Sequence, residues 1–384
     1  MSPPATIFAD EEAVRPTHVE VDLTTLAENL AAIRTHVAGA KVMTILKANA
    51  YGHGLVPVAQ HMVRCGADYL GVAFLEEGIL LRREGITTPI LVLGGIAGEQ
   101  IPLFLKYNLT VTAPSVEKLR LIDEAAFMLG ERARVHLKVD TGMERIGIHY
   151  YNAETLLEAA LSCQHVEVEG IFSHFANADA EDLGHARLQV ERFQEVLSFY
   201  ERRSLPTPMR HMANSAGILQ LPESHFDLVR PGILLYGVYP SQECLRTITV
   251  KPALTWKSRV AYFKVVQAGH PVSYGSTWQS DHPVRMITVP VGYGDGYFRA
   301  LSNKSEVIVR GQRYPIVGRV CMDQLMVNLE QGTAYNGDEV VLLGSSDGQC
   351  ISAEEIASWA GTIPYEVLTN INTRVPRLYR SEDA

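Results

Sequence analysis

Cysteine is scarce in this sequence, and long apolar runs are absent. The five cysteines are Cys65, Cys163, Cys244, Cys321 and Cys350, with no CxxC pair among them. Their odd number and wide spacing exclude a disulfide framework, give no zinc-site pattern and are typical of reduced thiols. No run reaches the about 20 apolar residues that span a bilayer, and the start, MSPPATIFADEEAVRP, lacks the basic and apolar regions of a signal peptide. We therefore predict a cytoplasmic protein with no metal site and no membrane association.

Positive charge is also in short supply. Lysine and arginine total 34 against 43 aspartates and glutamates, which gives a formal net charge of −9. This balance argues against a protein that binds nucleic acid non-specifically. A chain of 384 residues, 47% apolar and 20% charged, is long enough for two globular domains with sizeable cores.

Eight short apolar runs alternate with helical patterns from about residue 40 to residue 235. They cover residues 41–47, 67–73, 89–95, 109–113, 134–140, 166–174, 209–214 and 226–232. Most are continuously apolar, as expected for parallel strands that are covered on both faces. The helical patterns include one with Ser115 as a plausible N-cap and one with Val190, Phe193, Leu197 and Tyr200 on one face.

This alternation predicts an α/β protein with an N-terminal (β/α)8 TIM-type barrel in residues 1–245. A doubly wound open sheet is the alternative, and no GxGxxG turn favours it. Residues 246–384 read as a mostly β domain with turn signals between strands. One helix is expected at 352–360, with a capping box of Ser352 and Glu355 and a stop at Gly361. The early strand within residues 14–23 is free to pair with either domain.

Polar residues gather where the barrel strands end, which is where barrel enzymes place their active sites. These residues are Lys47, Lys138, Arg145, His174, His211, Asn214 and Arg230. Small residues at Asn214–Gly217 and at Gly232–Ile233 predict backbone N–H groups that face a phosphate. A lysine beside a phosphate site suggests a phosphorylated carbonyl compound held as a Schiff base. Taken singly, a lysine at a strand end such as Lys47 is usually solvated, His174 reads equally as a core histidine, and Asn214 reads more readily as an N-cap alone.

Nine short motifs, in order along the chain, resemble those of the alanine racemases. They are KANAYGHG (47–54), KVDTGMERIG (138–147), SHF (173–175), ANS (213–215), RPGI (230–233), VSYG (272–275), GYGDGY (292–297), CMDQ (321–324) and PYE (364–366). The resemblance runs from about residue 16 to about residue 378. It implies a pyridoxal 5'-phosphate enzyme that interconverts L-alanine and D-alanine and supplies D-alanine for peptidoglycan.

The resemblance also implies roles for single residues. Lys47 would form the Schiff base with the cofactor and act as acid/base on one face of the substrate Cα, and Tyr274 would act on the opposite face. In the family this tyrosine comes from the other subunit, so the resemblance implies a homodimer with shared active sites. The second domain would thus supply the catalytic tyrosine and dimer contacts. Cofactor contacts would come from Tyr51, His174, Asn214, Ser215, Arg230, Gly232, Ile233 and Tyr365, with Arg230 at the pyridine nitrogen.

The substrate carboxylate would meet Arg145 and the Met322 backbone, with Asp323 beside this entrance. Lys138 would be carbamylated and orient Arg145, unless it carries an ordinary ammonium paired with Asp140. Two positions depart from the family. Glu144 stands where Gly or a small polar residue is common, beside Arg145, and Gly294 stands where Ala is common, which should matter little.

Other functions remain open at this stage. The nearest is a racemase of serine or of a broader range of amino acids, although broad-range relatives tend to carry signal peptides. A decarboxylase of basic amino acids shares the architecture but uses an acidic residue at the pyridine nitrogen. A non-catalytic cofactor-binding protein resembles the first domain only. The last alternative is a barrel without a cofactor.

Overall fold

The structure, a computed structural model, describes residues 15–381. Thr25–Lys251 form one compact unit, and the described residues on either side of them form another. The first unit is called the barrel unit below and the other the β unit. Most of the N-terminal stretch in which we expect no signal peptide lies outside the described residues. Across residues 15–381, no helix combines the length and apolarity needed to cross a membrane.

Strand β1 (His18–Asp22) opens the described chain, and eight parallel strands of the barrel unit follow it. The barrel strands are β2 (Lys41–Ile45), β3 (Tyr69–Val72), β4 (Ile90–Val92), β5 (Thr110–Ala113), β6 (Ala133–Asp140), β8 (Val166–Phe172), β9 (Met209–His211) and β10 (Leu228–Val229), with a short β7 (Ile148–His149) beside β6. Each strand pairs with the next, and β10 returns to β2, so the sheet closes. The predicted barrel is confirmed, and the open-sheet alternative is wrong.

One helix precedes the first barrel strand, β2, and the others follow barrel strands. They are α1 (Leu23–His36), α2 (Lys47–Tyr51), α3 (Leu55–Arg64), α4 (Leu75–Arg83), α5 (Ile101–Lys106), α6 (Val116–Leu129), α7 (Ala153–Ser162), α8 (Gly184–Arg202) and α9 (Ser215–Gln220). Ser115 caps α6 as predicted, because its Oγ accepts the Lys118 N–H at 3.2 Å. The predicted apolar face of α8 is buried. Both faces of the sheet are therefore covered, which explains the continuous apolar character of its strands.

The β unit holds a ten-stranded sheet. Besides β1, its strands are β11 (Leu254–Arg259), β12 (Tyr262–Val266), β13 (Val284–Val289), β14 (Glu306–Val309), β15 (Gln312–Val317), β16 (Leu325–Glu330), β17 (Glu339–Ser346), β18 (Gln349–Ile351) and β19 (Arg377–Arg380). Strand β1 pairs with β11 and β19, which places it in this unit. The expected mostly β fold of this part is confirmed.

Two helices, rather than the one expected, interrupt these strands: α10 (Ala353–Ala360) and α11 (Pro364–Asn370). Ser352 caps α10, since its Oγ accepts the Glu355 N–H at 3.2 Å, and Gly361 ends it with φ 74°. A capping box also requires the Glu355 carboxylate to accept the Ser352 N–H. That part of the prediction is wrong, because the Glu355 carboxylate pairs with Arg313 instead. Helix α11 was missed; proline at its first position starts it.

Candidate active site

Lys47 follows β2 directly and begins an unusual turn. Residues 48–51 are four consecutive non-glycine residues with φ between 51° and 56°, a left-handed turn. Each L-residue in this conformation costs roughly 1–2 kcal/mol, so tertiary contacts must hold it. The Glu77 carboxylate does so by accepting the N–H groups of Ala48 and Ala73, each at 2.7 Å, and Asn49 Oδ1 accepts the Leu55 N–H at 2.8 Å.

The environment of Lys47 favours a neutral amine. Burial lowers the pKa of Lys47 below its ordinary value, Arg145 and Arg230 lower it further, and Glu77 opposes them. A neutral amine is the form that attacks a carbonyl carbon. The end of β2 therefore presents, at the carboxyl end of the barrel, an amine that loses its proton more readily than an exposed lysine does.

A hydroxyl cluster lies at the same end, where β9 and β10 end. Ser215 Oγ accepts the N–H groups of Gly232 at 2.9 Å and Leu234 at 3.3 Å. A Cβ added to Gly232 would lie 2.5 Å from Tyr51 Oη, so only glycine lets this hydroxyl approach the backbone. Ile233 is completely buried, and within residues 15–381 its N–H donates no hydrogen bond. Two hydroxyls and an unsatisfied buried N–H form a cradle suited to a phosphate.

Asn214 serves this cluster indirectly. Its Oδ1 accepts the Gly217 N–H at 2.9 Å and thereby caps α9. Asn214 therefore acts as the N-cap that the sequence analysis named as its structural alternative, and it also directly precedes Ser215. Tyr51 itself stacks on Tyr236, with ring centroids 4.9 Å apart, and the Tyr236 hydroxyl donates to the Ile45 carbonyl oxygen at 2.8 Å.

Arg230 is a buried cation at the end of β10. It donates to His211 Nδ1 at 2.8 Å, to His174 Nδ1 at 3.1 Å and to the Ser173 carbonyl oxygen at 2.8 Å. Burial lowers the pKa of Arg230 to about 9, which leaves it charged at neutral pH. Burial, and then the charges of Arg230 and Lys138, lower the pKa of His174 well below its ordinary value. His174 is therefore a neutral acceptor beside a fixed cation.

Lys138, Arg145 and His174 line one narrow recess. Lys138 is only 3% exposed, and its Nζ lies 4.3 Å from the Phe172 ring centroid. Burial lowers the pKa of Lys138 well below its ordinary value, and Arg230 adds to this effect. No carboxylate of the described residues lies within 4.0 Å of it; Asp140 instead accepts backbone N–H groups. The alternative of an ammonium paired with Asp140 finds no support here.

Glu144 does not hold Arg145. Its carboxylate lies 3.6 Å from His149 Nδ1, and none of the ion pairs in residues 15–381 joins it to Arg145. Glu144 has φ 56°, a conformation that glycine adopts without strain.

The β unit contributes a separate set of predicted residues. Tyr274, Met322 and Asp323 line one open cleft, and Tyr274 is 72% exposed. Tyr274 starts a tight turn, Tyr274–Ser276, in which a Cβ on Gly275 would lie 3.0 Å from the Arg319 guanidinium carbon. Tyr365 lies on α11 and is not among the residues that line this cleft.

Four functional candidates escaped the sequence analysis: Glu77, Tyr236, His136 and Arg319. Glu77 follows β3, whereas Lys47 follows the preceding strand, β2. Glu77 also lies in the first turn of α4, where acidic residues are common for helical reasons alone. His136 lies inside β6, where polar and apolar residues alternate, and reads as a structural strand residue. Neither position carries a signal that separates a site role from a structural one.

Comparison with known proteins covers both units. The model of the family "Alanine racemase, N-terminal domain" matches residues 21–240, and that of "Alanine racemase, C-terminal domain" matches residues 253–379. A curated protein called alanine racemase from Carboxydothermus hydrogenoformans is 46% identical over 368 residues, which cover 95% of this chain and 100% of that one.

Solved structures give the same result. An alanine racemase from Streptomyces lavendulae superposes with a TM-score of 0.91 at 37% identity, covering 95% of this chain and 97% of that one. An alanine racemase from Bartonella henselae, solved with covalently bound pyridoxal phosphate, superposes with a TM-score of 0.87 at 28% identity, covering 95% and 99% of the two chains.

Proposed function

Because the chain belongs to the alanine racemase family, it is a pyridoxal-phosphate-dependent racemase of alanine, and we propose that Lys47 and Tyr274 are its two acid/base groups. Racemisation removes the Cα proton on one face and returns a proton on the other, so two bases on opposite faces suffice. The single observation that carries the proposal is the convergence of a lysine of lowered pKa with a phosphate cradle at one end of the barrel.

The residues of the barrel unit fit pyridoxal phosphate. Tyr51, Ser215, Gly232 and Ile233 form the hydroxyl and N–H cradle that would hold its phosphate, with Asn214 keeping Ser215 in place. The neutral amine of Lys47 would hold its carbonyl carbon. When bound, this cofactor supplies an electron sink that acidifies the substrate Cα–H. Tyr365, from the β unit, remains a proposed phosphate contact on the resemblance alone.

Arg230 would face the pyridine nitrogen, with His174 beside the ring. A guanidinium has only donors, and its pKa of about 9 keeps it charged at neutral pH. It would therefore donate a hydrogen bond to the ring nitrogen without handing over its proton. This limits how far negative charge spreads into the ring and so disfavours side reactions.

The substrate carboxylate would meet the Arg145 guanidinium and the Met322 N–H. Within the described part of the chain, the Met322 N–H donates no hydrogen bond, and this residue is 54% exposed. Lys138, carbamylated, would orient Arg145, and Asp323 would stand beside the entrance. The buried position of Lys138 and its lowered pKa support this proposal.

We also propose a homodimer in which each active site takes Tyr274 from a second copy, with the two units as the barrel and dimer-forming domains. The exposure of Tyr274 in the open cleft supports this. Mixing Lys47→Ala and Tyr274→Phe subunits tests it: random re-association of a symmetric dimer should restore about a quarter of wild-type activity. Two inactive variants that stay inactive after verified exchange would contradict shared sites.

The two-base assignment has its own test. Lys47→Ala should abolish the visible absorbance of the bound cofactor, and Tyr274→Phe should keep that absorbance but lose most racemisation, by about a hundredfold or more. Loss of optical purity of added L-alanine and of D-alanine is the activity measurement. A Tyr274→Phe enzyme with near wild-type turnover in both directions would overturn the assignment.

A cytoplasmic location and a role of D-alanine in peptidoglycan supply complete the proposal. All five cysteines are free thiols, which suits a reducing compartment. Fractionation of the cells that make this protein tests the location.

A further inference from the structure

The GYGDGY motif (292–297) has no role in the mechanism described so far. In the structure it forms a tight loop against the Cys321–Met322 backbone. The Tyr293 N–H donates to the Cys321 carbonyl oxygen at 3.0 Å, and the Gly294 N–H donates to the Met322 carbonyl oxygen at 2.9 Å. A Cβ on Gly292 would lie 2.2 Å from the Cys321 oxygen and 2.4 Å from the Met322 oxygen. The loop therefore fixes two successive carbonyl groups of the neighbouring segment.

Asp295 holds this loop in shape. Its side chain is 0% exposed, and it accepts the Gly292 N–H at 3.0 Å. Two arginines neutralise it: Arg15 Nη1 lies 2.6 Å and Arg374 Nε 2.8 Å from Asp295 Oδ1. A buried carboxylate with this set of donors is fixed in position, because each unmade bond would leave a buried charge unsatisfied.

Arg374 connects this buried carboxylate to the segment that carries Met322. While its Nε binds Asp295, its Nη2 donates to Asp323 Oδ1 at 2.8 Å and lies 3.5 Å from the Met322 carbonyl oxygen. The rigid guanidinium fork makes this bridge possible; a lysine ammonium is a point donor that cannot reach both carboxylates with the same geometry.

Gly294 makes room for the bridge. A Cβ there would lie 2.6 Å from Arg374 Nη2 and 3.0 Å from the Met322 carbonyl oxygen. The sequence analysis expected alanine at position 294 to matter little. The short distance from its Cβ to Arg374 Nη2 argues against that expectation in this chain. In this chain an alanine requires the guanidinium to move away from Asp323 and Met322.

We propose that Arg374, anchored on buried Asp295, is a positioning residue for recognition of the substrate carboxylate. It acts in two ways. It holds the Cys321–Asp323 segment so that the Met322 N–H stays available, and it neutralises Asp323, whose exposed carboxylate would otherwise repel an anionic substrate next to that N–H. The inference rests on the proposed function, in which the Met322 N–H meets the carboxylate.

The test compares Arg374→Ala, Arg374→Lys and Gly294→Ala with the control Arg380→Ala, whose guanidinium pairs with Glu20 on the surface. The holoenzymes are assayed for kcat and KM with L-alanine and for competitive inhibition by propionate, which keeps the carboxylate but lacks the amine. All three test variants should raise KM and the propionate inhibition constant about tenfold, the loss of roughly one charged hydrogen bond. Their kcat should stay within about twofold, since the lost interaction binds ground and transition states alike.

A second readout does not depend on turnover. Amide hydrogen exchange of the peptide that spans residues 319–326 should accelerate in the test variants and stay unchanged in Arg380→Ala. Adding Asp323→Asn to Arg374→Ala should recover part of the lost affinity. The double variant no longer repels the substrate carboxylate, but its Cys321–Asp323 segment is still displaced.

The outcomes separate the two levels of proposal. A wild-type enzyme that racemises alanine, combined with unchanged KM, inhibition and exchange in Gly294→Ala and Arg374→Lys, overturns the inference alone. Equal losses in kcat and kcat/KM also overturn it. A well-loaded wild type without racemisation overturns the proposed function instead. Gly294→Ala keeps the test sound if Arg374→Ala fails to fold.

Discussion

The Nδ1 atom of His136 and the Nε2 atom of His211 lie 2.8 Å apart inside the barrel, and both side chains are completely buried. Arg230 fixes which ring donates. It has only donors, so His211 Nδ1 must accept from it. A neutral His211 then carries its proton on Nε2 and donates to His136 Nδ1. His136 in turn carries its proton on Nε2, which lies 3.7 Å from Glu169 Oε2. The donors thus run in one direction from Arg230 towards a carboxylate.

This arrangement predicts the protonation of both rings. Burial, and then the Arg230 charge, lower the pKa of His211 well below its ordinary value, and burial lowers the pKa of His136. Both rings should therefore be neutral at about pH 8 and should stay neutral down to a lower pH than a free imidazole does. Nitrogen-15 NMR of labelled imidazoles should show Nε2–H tautomers for both residues over that range. A protonated Nδ1 on His211, or titration near neutral pH, would contradict the assigned direction.

Glu169 gives a prediction for stability against pH. Burial raises its pKa, but the nearby His136 ring and the hydrogen bond that the Tyr69 hydroxyl donates outweigh this, so the pKa of Glu169 falls from 4.5 to about 2. A lowered folded-state pKa contributes stability that is present above about 4.5 and is lost as pH falls towards about 2. Glu169→Gln should therefore destabilise the protein by roughly 2 kcal/mol at pH 7.

Denaturant unfolding at pH 7 and at stepwise lower pH measures this difference, which should narrow below about pH 4.5. Glu167→Gln, on the exposed side of the same strand, is the matched control and should change stability little. A constant penalty for Glu169→Gln at all pH values would show that shape, not charge, accounts for it.

The barrel was predictable because the burial pattern of each strand can be read from a few consecutive residues. Strands buried on both faces tend to be apolar along their whole length, and this pattern marked most of the eight strands. The caps at Ser115 and Ser352 were equally readable, since a cap is a contact between residues three positions apart. Strand β1 pairs with β19, more than 350 residues away, and no local pattern specifies such a partner.

The site was less predictable where the backbone departs from its own preferences. Only Asn49 in the segment Ala48–Tyr51 adopts the left-handed region readily, and the carboxylate of Glu77, 29 residues beyond Ala48, stabilises the turn. His136 is one of four polar residues that alternate with apolar ones along β6, and only the closed barrel places it against His211. The resemblance to a known family supplied the roles of the site residues; composition and periodicity supplied their location.

Gly170 offers a packing prediction for the same histidine pair. A Cβ there would lie 2.7 Å from His136 Nδ1 and 2.8 Å from Cε1. Because this ring is fully buried, Gly170→Ala should displace it, break the His136–His211 hydrogen bond and destabilise the protein by roughly 1–3 kcal/mol. Gly98→Ala is the control, since its Cβ would meet Leu121 at 3.7 Å, an ordinary contact. Thermal unfolding compares the two, and equal melting temperatures would show that the ring has room to move.

Lys138 gives the last prediction, which concerns a covalent modification. Burial and Arg230 lower the pKa of Lys138, so its neutral amine can attack carbon dioxide. The new N–C bond forms as the amine nitrogen releases a proton to solvent, and the product is a carbamate anion beside Arg145 and Arg230. Its negative charge offsets two cations that have no carboxylate partner within 4.0 Å in residues 15–381.

Carbon-13 NMR of protein equilibrated with labelled bicarbonate should therefore show a carbamate signal that Lys138→Ala removes and Lys106→Ala, at an exposed position, leaves in place. The Lys138→Ala enzyme should also have a raised KM for alanine, by about tenfold, because Arg145 loses the anion that orients it. A signal that persists in Lys138→Ala would assign the carbamate to another amine. The wild type should be measured at bicarbonate levels that saturate exposed model amines. If it gives no carbamate signal there, Lys138 is not carbamylated and unmodified residues orient Arg145.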